Sequence, residues 1–417
     1  MIIKTKIIRW LVAGLLGLLV VVAYSYALHK PAEPYFDEVH YVRFIRGLLL
    51  EHEYLETSNV HPPLWHLLTA FLVWMVGDFF PVWRLVSLAA GLLLFWPLFQ
   101  VAKKITADHM TAWLAVFLLA FDCLSLTQAR SAMMNSLMLV FNLFAVYYFL
   151  NAFPPQERVR SKSFFLCGIF LALALATKLV AASLLLFFVP LLILEVIKRR
   201  GQRLVILRNG VLALLVMPAA AYFGVHLFIP LLKNRTVADI WGIWKFHMNY
   251  NVTMNQTHGY SSRWWSWPLM LRPIWFYFQS IKWGTPASAV SGIIAIGNPA
   301  VFWMIPLMVV NLGLLFSIKR SRTAGVVLWG FFTQWLAFAT MQRLQFFHYF
   351  YSVMPFVVIG MAMLVRQLWR WGGFWRYVVA FYLILVAGMF VYWYPLLTGV
   401  PVNTDYYHQH LWFQAWI

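Results

Sequence analysis

Apolar residues run in long blocks, each closed by a short charged or turn-forming segment, and the recurrence of that pattern from residue 10 to residue 397 predicts a bundle of membrane-spanning helices. The blocks are 10–28, 82–101, 110–127, 131–150, 163–177, 179–197, 210–230, 298–317, 323–340, 350–365 and 377–397. A crossing takes about 20 apolar residues, so each block suits one span. The expected fold is all-α: a polytopic membrane protein of about 11 transmembrane helices, forming one unit over 1–417. The stretch 64–77 is read as a re-entrant or interfacial helix, because a crossing there would move every later basic cluster to the other side. The first block follows Lys4, Lys6 and Arg9 as a signal peptide would. Its length, its lack of a small-x-small cleavage site and the many blocks behind it mark it as a retained span.

Two segments between blocks are too long to be simple connectors, 29–81 and 231–297, and loops of that size usually carry function. In the second, Trp264, Trp265, Trp267, Trp275 and Tyr277, punctuated by Pro268 and Pro273, predict helices lying in the headgroup zone. The plainer reading of those rings is an aromatic belt.

Composition removes the soluble alternatives, since 63% of residues are hydrophobic and 11% charged. A net charge of +19 could signal a nucleic-acid partner, but its placement argues for none. Lys103 and Lys104; Arg158, Arg160 and Lys162; Lys198, Arg199, Arg200, Arg203 and Arg208; Lys319, Arg320 and Arg322; and Arg366, Arg370 and Arg376 cluster at every second junction. That is the positive-inside pattern. It puts the N-terminus in the cytoplasm, the C-terminus outside and both long loops on the outer face, in the inner (plasma) membrane of a bacterium or the endoplasmic reticulum of a eukaryote. Cys123 and Cys167 lie in apolar stretches, which excludes a disulfide framework or thiolate metal site and leaves the redox compartment open.

Against this background the pair Asp37-Glu38 stands out, two of only 13 acidic residues, set beside a bilayer. Pro34 precedes it, and Val39, Val42, Ile45 and Leu49 recur at helical spacing, which places the pair in the first turn of a surface helix. Acids there can serve only to stabilise the helix dipole. Downstream, Pro62 and Pro63 stiffen the chain after His61. The same topology collects Asp122, Arg130, Lys178, Arg263, Arg272, Arg343 and His348 at the outer face. Ionisable groups at membrane depth cost about 2.5–3.5 kcal/mol each on insertion scales, so they mark function or pair with one another. Carboxylates and cations gathered at one lipid–water boundary suit transfer of a group from an anionic lipid carrier to a nucleophile. A transporter would instead show charges at mid-depth, broken helices and internal repeats.

Asp37-Glu38 with His61-Pro62-Pro63 resembles the hallmark of the dolichyl-phosphate-mannose protein mannosyltransferases, glycosyltransferases of the GT-C fold. The resemblance extends through Asp122-Cys123-Leu124-Ser125 to Gln128 and Arg130, Ala176-Thr177-Lys178, and His258-Gly259-Tyr260-Ser261-Ser262-Arg263 on to Pro273. It continues in Gly297-Asn298-Pro299 and in Arg343 through His348 to Pro355. Two features depart from it. Asn135 stands where the family commonly has an aspartate, and no segment is long enough for the soluble MIR domain of eukaryotic members, so the chain is similar to the shorter bacterial form.

The resemblance implies a polyprenyl-phosphate-linked mannose or other hexose as donor, and a Ser or Thr hydroxyl of an exported protein as acceptor, with inversion at the sugar. The phosphate is already a good leaving group, so the demand is for a base: Asp37 takes that role, with Glu38 beside it orienting the acceptor or sharing the proton. Arg130 and Lys178 are expected to hold the lipid phosphate. His61, His258, Tyr260, Arg263, Arg343 and His348 are expected to shape the acceptor or sugar pocket. No cofactor is implied; His40, His52, His61 and His66 beside the first loop's acids leave a divalent metal as the alternative. Assembly into an oligomer stays open. So do a GT-C transferase acting on lipid A or another lipid or glycan, and a non-catalytic homologue.

Overall fold

A computed structural model describes residues 2–55, 60–79, 81–253, 257–282 and 288–417. The helices are α1 (Ile2–Ser25), α2 (Glu38–Arg46), α3 (Leu64–Val76), α4 (Val82–Leu93), α5 (Phe95–Thr106), α6 (His109–Ala120), α7 (Cys123–Arg130), α8 (Asn135–Asn151), α9 (Ser161–Thr177), α10 (Leu184–Lys198), α11 (Arg203–Val211), α12 (Met217–Gly224) and α13 (Val237–Thr253). After the second long loop come α14 (Pro299–Phe302), α15 (Ile305–Ser317), α16 (Arg322–Leu336), α17 (Met354–Trp371) and α18 (Phe374–Trp393).

A helix occupies each of the expected blocks. Among the described residues, six stretches are long and apolar enough to cross a bilayer unaided: Val82–Thr106, Leu179–Lys198, Arg200–Leu231, Pro299–Ser317, Arg322–Thr340 and Phe374–Trp393. The pair α6 and α7, bent by 64°, adds a seventh. α8 and α9 are apolar but 17 residues each, and α17 carries Arg366 and Arg370 towards its end. The count of crossings therefore rests on fewer unaided spans than the sequence pattern suggested. α8 is buried around most of its circumference, as its lack of a polar face dictates, and forms the middle of the bundle. α4 approaches α7 at Gly91, where any side chain would collide with Ala129.

The second long loop differs from expectation. Trp275 and Tyr277 lie in a strand, not a helix. β1 (Ile274–Lys282) and β2 (Ser288–Ala295) form an antiparallel hairpin, irregular between Trp275 and Tyr277, and β3 (Val402–Asn403) pairs with β2. The reason is local: Ile274, Trp275, Phe276, Tyr277, Phe278, Val290, Ile293 and Ile294 are β-branched or aromatic, types that suit a pleated surface. β2 is buried from Val290 through Ala295, with Thr127 Oγ1 of α7 donating to the Ile294 carbonyl. Trp264, Trp265 and Trp267 do fall in a short 3-10 helix, Trp264–Leu269.

The basic junctions meet at one end of the bundle. Arg366 and Arg370 both reach Asp108, Thr323 Oγ1 donates to the Ile105 carbonyl, and Arg199 donates to the carbonyls of Glu157 and Pro154. The candidate site lies among the other junctions.

Candidate active site

α2 begins at Glu38, with Asp37 in the N-cap position, yet the Asp37 side chain accepts no capping hydrogen bond. The helix-stabilising explanation for this acid thus fails at its simplest point. Its Oδ2 accepts instead from the Tyr41 hydroxyl, one turn on, at 3.4 Å. Phe36, just before it, has φ of 50°, a left-handed conformation that costs an L-residue about 1 kcal/mol or more. The ring is held there by stacking on Phe276 of β1, centroids 4.3 Å apart, and by its edge contact with His348 at 5.6 Å. Tyr41 in turn lies against His61, centroids 6.4 Å apart. Asp37 is therefore bracketed by rings that touch two walls of the same cavity.

That cavity, about 280 Å³, is lined by His61, Asn135, Lys178, Arg343, His348 and Tyr349 on its polar side. Met138, Leu179, Val180 and Phe338 give it an apolar side. Lys178 sits in the break between α9 and the turn Leu179–Ser183, outside the spans, and its Nζ donates to Asn135 Oδ1 at 2.8 Å. The Tyr349 ring carries Lys178 Nζ at 5.4 Å and the Arg343 guanidinium at 5.4 Å, and Arg343 also donates to the Tyr349 hydroxyl at 2.9 Å. Two cations from distant parts of the chain thus flank one ring at the cavity wall.

The charges are coupled. Burial pushes the Asp37 carboxyl above its usual 3.8, and the nearby Lys178 draws it back in part, with smaller help from His40, Tyr41 and Arg343. Burial pulls Lys178 down to about 8, Arg343 adding to that and Asp37 opposing it. His61 and His348 are driven well below the usual imidazole value by burial and by Lys178 and Arg343, so both are neutral near pH 7. Among the described residues the cavity's positive charge then belongs to Lys178 and Arg343. Both ring nitrogens of the buried His348 lack a hydrogen-bond partner among the described residues, which leaves them open to a ligand.

A second, more polar cavity of about 650 Å³ opens alongside, lined by Thr257, Ser261, Ser262, Arg263, Gln342 and Gln345. Arg343 and Met341 line both cavities. The backbone N–H of Ser262 donates to the Gln345 carbonyl at 2.9 Å, which joins the second long loop to the segment before α17.

Two expected site residues are engaged elsewhere. Glu38 is fully buried and paired with Arg84, whose Nη2 donates to Oε2 at 2.9 Å and Nε to Oε1 at 3.0 Å, while the Ala132 N–H donates to the same Oε1 at 2.6 Å. Successive residues of a helix do not share a face, so Glu38 turns into the protein where Asp37 does not. Arg130 points at the end of α1, donating to the carbonyls of Tyr24, Tyr26 and Ala27 at 2.8, 2.6 and 3.0 Å. With its terminal nitrogens spent on backbone oxygens, it has no place on the cavity wall. His258 and Tyr260 line neither cavity; His258 lies edge-on to Phe346 at 5.2 Å and accepts from the Tyr260 N–H at 3.1 Å. Asp122 caps α7 and accepts from the Asn298 N–H, a structural tie between α7 and the end of β2.

The sequence pattern missed Arg84, Tyr41 and Tyr349. Arg84 had a signal: a lone arginine near the start of an apolar span needs a buried partner. The tyrosines had none. Of the loop histidines, His40 and His52 are exposed, whereas His61 and His66 are buried, and no group of three or more His, Cys, Asp or Glu arranged to hold a metal occurs among the described residues.

Residues 80–232 match the family profile described as dolichyl-phosphate-mannose-protein mannosyltransferase, and residues 236–416 match the C-terminal four-span region of protein-O-mannosyltransferase. The chain is similar to a Mycolicibacterium smegmatis protein named polyprenol-phosphate-mannose–protein mannosyltransferase, 24% identical over 98% of this chain and 93% of that protein. Among solved structures it is similar to the S. cerevisiae protein O-mannosyltransferase Pmt1-Pmt2 complex bound to the sugar donor, with a TM-score of 0.80 at 14% identity, covering 98% of this chain and 92% of that one. It is also similar to ArnT from Cupriavidus metallidurans bound to undecaprenyl phosphate, with a TM-score of 0.63 at 14% identity, covering 94% of this chain and 77% of that one.

Proposed function

Since the chain belongs to the dolichyl-phosphate-mannose protein mannosyltransferase family, a family of multi-span membrane proteins with the GT-C fold, we propose that it transfers a mannosyl group from a polyprenyl phosphate to a Ser or Thr hydroxyl of an exported protein. The site it uses is the cavity lined by Lys178 and Arg343, with Asp37 beside it. The observation that carries this reading is a raised carboxylate beside a partly apolar pocket whose wall presents two cations, Lys178 and Arg343, flanking one tyrosine ring.

Lys178 and Arg343 hold the lipid phosphate and stabilise the charge that grows on it as the sugar leaves. Arg343 therefore takes the part that the motif suggested for Arg130. Leu179, Val180 and Met138 receive the first isoprenoid units. His348 and His61, both neutral, hydrogen-bond the sugar. The acceptor segment enters through the polar cavity past Arg263, reaching the reacting centre where the two cavities meet at Arg343. Asp37 removes the hydroxyl proton, and its raised pKa fits it for that task better than an ordinary surface aspartate. The oxygen attacks the anomeric carbon from the face opposite the phosphate, which inverts that centre. Glu38, locked to Arg84, fixes the turn that presents Asp37. Two side-chain cations do what a divalent ion would, so a chelator leaves the rate unchanged.

The long loops face the outer side of a bacterial plasma membrane in this reading, the basic end the cytoplasm. The test supplies purified protein in lipid with labelled polyprenyl-phosphate-mannose and, separately, a Ser/Thr-rich peptide and a lipid or glycan acceptor. Label on the peptide with an α/β configuration opposite to the donor's supports the reading. Label on the lipid or glycan alone, the peptide remaining unlabelled, replaces the protein acceptor with that one.

A further inference from the structure

Lys178 is 6% exposed, and the hydrogen bond it makes goes to a neutral amide rather than a carboxylate. An ammonium can only donate, so Asn135 must turn Oδ1 towards it. Nδ2 of Asn135 then faces Gln128 and donates to its Oε1 at 2.6 Å, which fixes the Gln128 amide and leaves its Nε2 buried without a partner among the described residues. Among the described residues no ion pair reaches Lys178. The chain Gln128–Asn135–Lys178 is thus polarised from the lysine end, and every link in it but the last is uncharged.

We propose that Asn135 is a positioning residue that fixes the Lys178 ammonium at the cavity wall without neutralising it, keeping its charge available to the phosphate of a polyprenyl phosphate. This rests on the reading of Lys178 as a phosphate ligand. A carboxylate at 135 would meet the ammonium at the same distance and take up the charge in a strong ion pair, which an incoming phosphate would have to displace. The remaining groups facing Lys178 are Asp37 and His61 from the first long loop and Arg343, His348 and Tyr349 from the segment before α17. Burial and Arg343 lower the lysine's pKa and Asp37 raises it, while Asn135 is the hydrogen-bond partner that holds the ammonium in place.

The test is equilibrium binding of polyprenyl phosphate to the full-length protein in lipid nanodiscs across pH, for the wild type, Asn135→Asp, Asn135→Ala and Lys178→Met. Asn135→Asp is isosteric, and Gln128 can reverse its amide to offer the unused Nε2, so the change is one of charge. Lysine must be protonated to hold phosphate, so wild-type affinity is expected to fall as pH rises through about 8. Asn135→Asp should bind about tenfold more weakly at neutral pH, with the fall displaced to higher pH, because an adjacent carboxylate raises a lysine pKa. Asn135→Ala should move the fall the other way, to lower pH, because it removes a hydrogen bond from the charged form. A merely structural role shifts neither. If Asn135→Asp keeps the wild-type affinity and pH dependence while Lys178→Met loses binding, the inference is wrong and the phosphate reading of Lys178 stands. If Lys178→Met binds as the wild type does, the phosphate reading itself is overturned.

Discussion

Asp37 and Glu38 are neighbours in sequence with opposite fates, and their separation yields the sharpest expectations. Because Asp37 must be ionised to act as a base and its pKa is raised above 3.8, transfer should fall on the acid side at a higher pH than an exposed aspartate would give. Lys178 lowers that pKa, so the residual activity of Lys178→Met should show its acid limb moved further up; a pH–rate profile of each protein reads this. The same shift has a stability consequence of defined sign. A carboxyl raised in the folded state favours folding at pH below its unfolded value and loses that contribution as pH rises through its folded value. Asp37→Asn is therefore expected to melt higher than the wild type at neutral pH and to lose the difference in acid, as thermal unfolding in detergent would record. Removing Arg84 acts differently, stranding the buried Glu38 charge at a cost of about 3–5 kcal/mol. Arg84→Ala should lower the melting temperature by several degrees, and Arg84→Ala with Glu38→Gln should recover part of it. The sequence made both acids visible by their rarity. It could not tell them apart, because which one turns inward depends on where Arg84 and Ala132 lie, 46 and 94 residues away.

At the scale of elements, helical blocks were legible because each carries its own periodicity, and the hairpin was not, because its aromatic residues fit a headgroup-zone helix as well as a strand. What decides for β1 and β2 is a long-range surface: α7 beneath and the C-terminal segment above, where Trp275 Nε1 donates to the Trp416 carbonyl at 2.8 Å. Phe276 on β1 then supplies the ring on which Phe36 stacks, and Tyr277 lies against Tyr35, so the sheet reaches the turn that carries Asp37. Arg130 was legible as an important junction cation but not as a clamp on the end of α1, since the three carbonyls it serves are about a hundred residues upstream. Asn298 is the matching tie at the end of β2, donating to the carbonyls of Phe121 and Val386 at 2.7 and 2.8 Å. Asn298→Ala should cost about 1–3 kcal/mol by leaving those buried acceptors unsatisfied, seen as a lower melting temperature with the donor affinity little changed.

At the scale of the whole molecule, charge is sorted by end. The basic junctions converge around Asp108 and Glu157, while Lys178, Arg343 and His348 converge at the cavity with Asp37 beside it. A single-cysteine labelling series is expected to find Arg263→Cys and Arg320→Cys reactive from opposite sides of the membrane; labelling of both from one side would contradict the orientation. That arrangement keeps the acceptor-facing cavity apart from the cations that orient the chain, and it gathers into one site residues from the first long loop, the α9 break and the segment before α17. Its central claim is that Asp37 does the chemistry while the cations hold the donor. The measurement is the single-turnover rate of mannosyl transfer by Asp37→Asn in lipid, with donor saturating and donor binding measured on the same preparation. Donor affinity is expected near that of the wild type and transfer slower by about 10²–10⁴-fold, the range that a positioned base supplies. Transfer at the wild-type rate with the donor bound would contradict that claim.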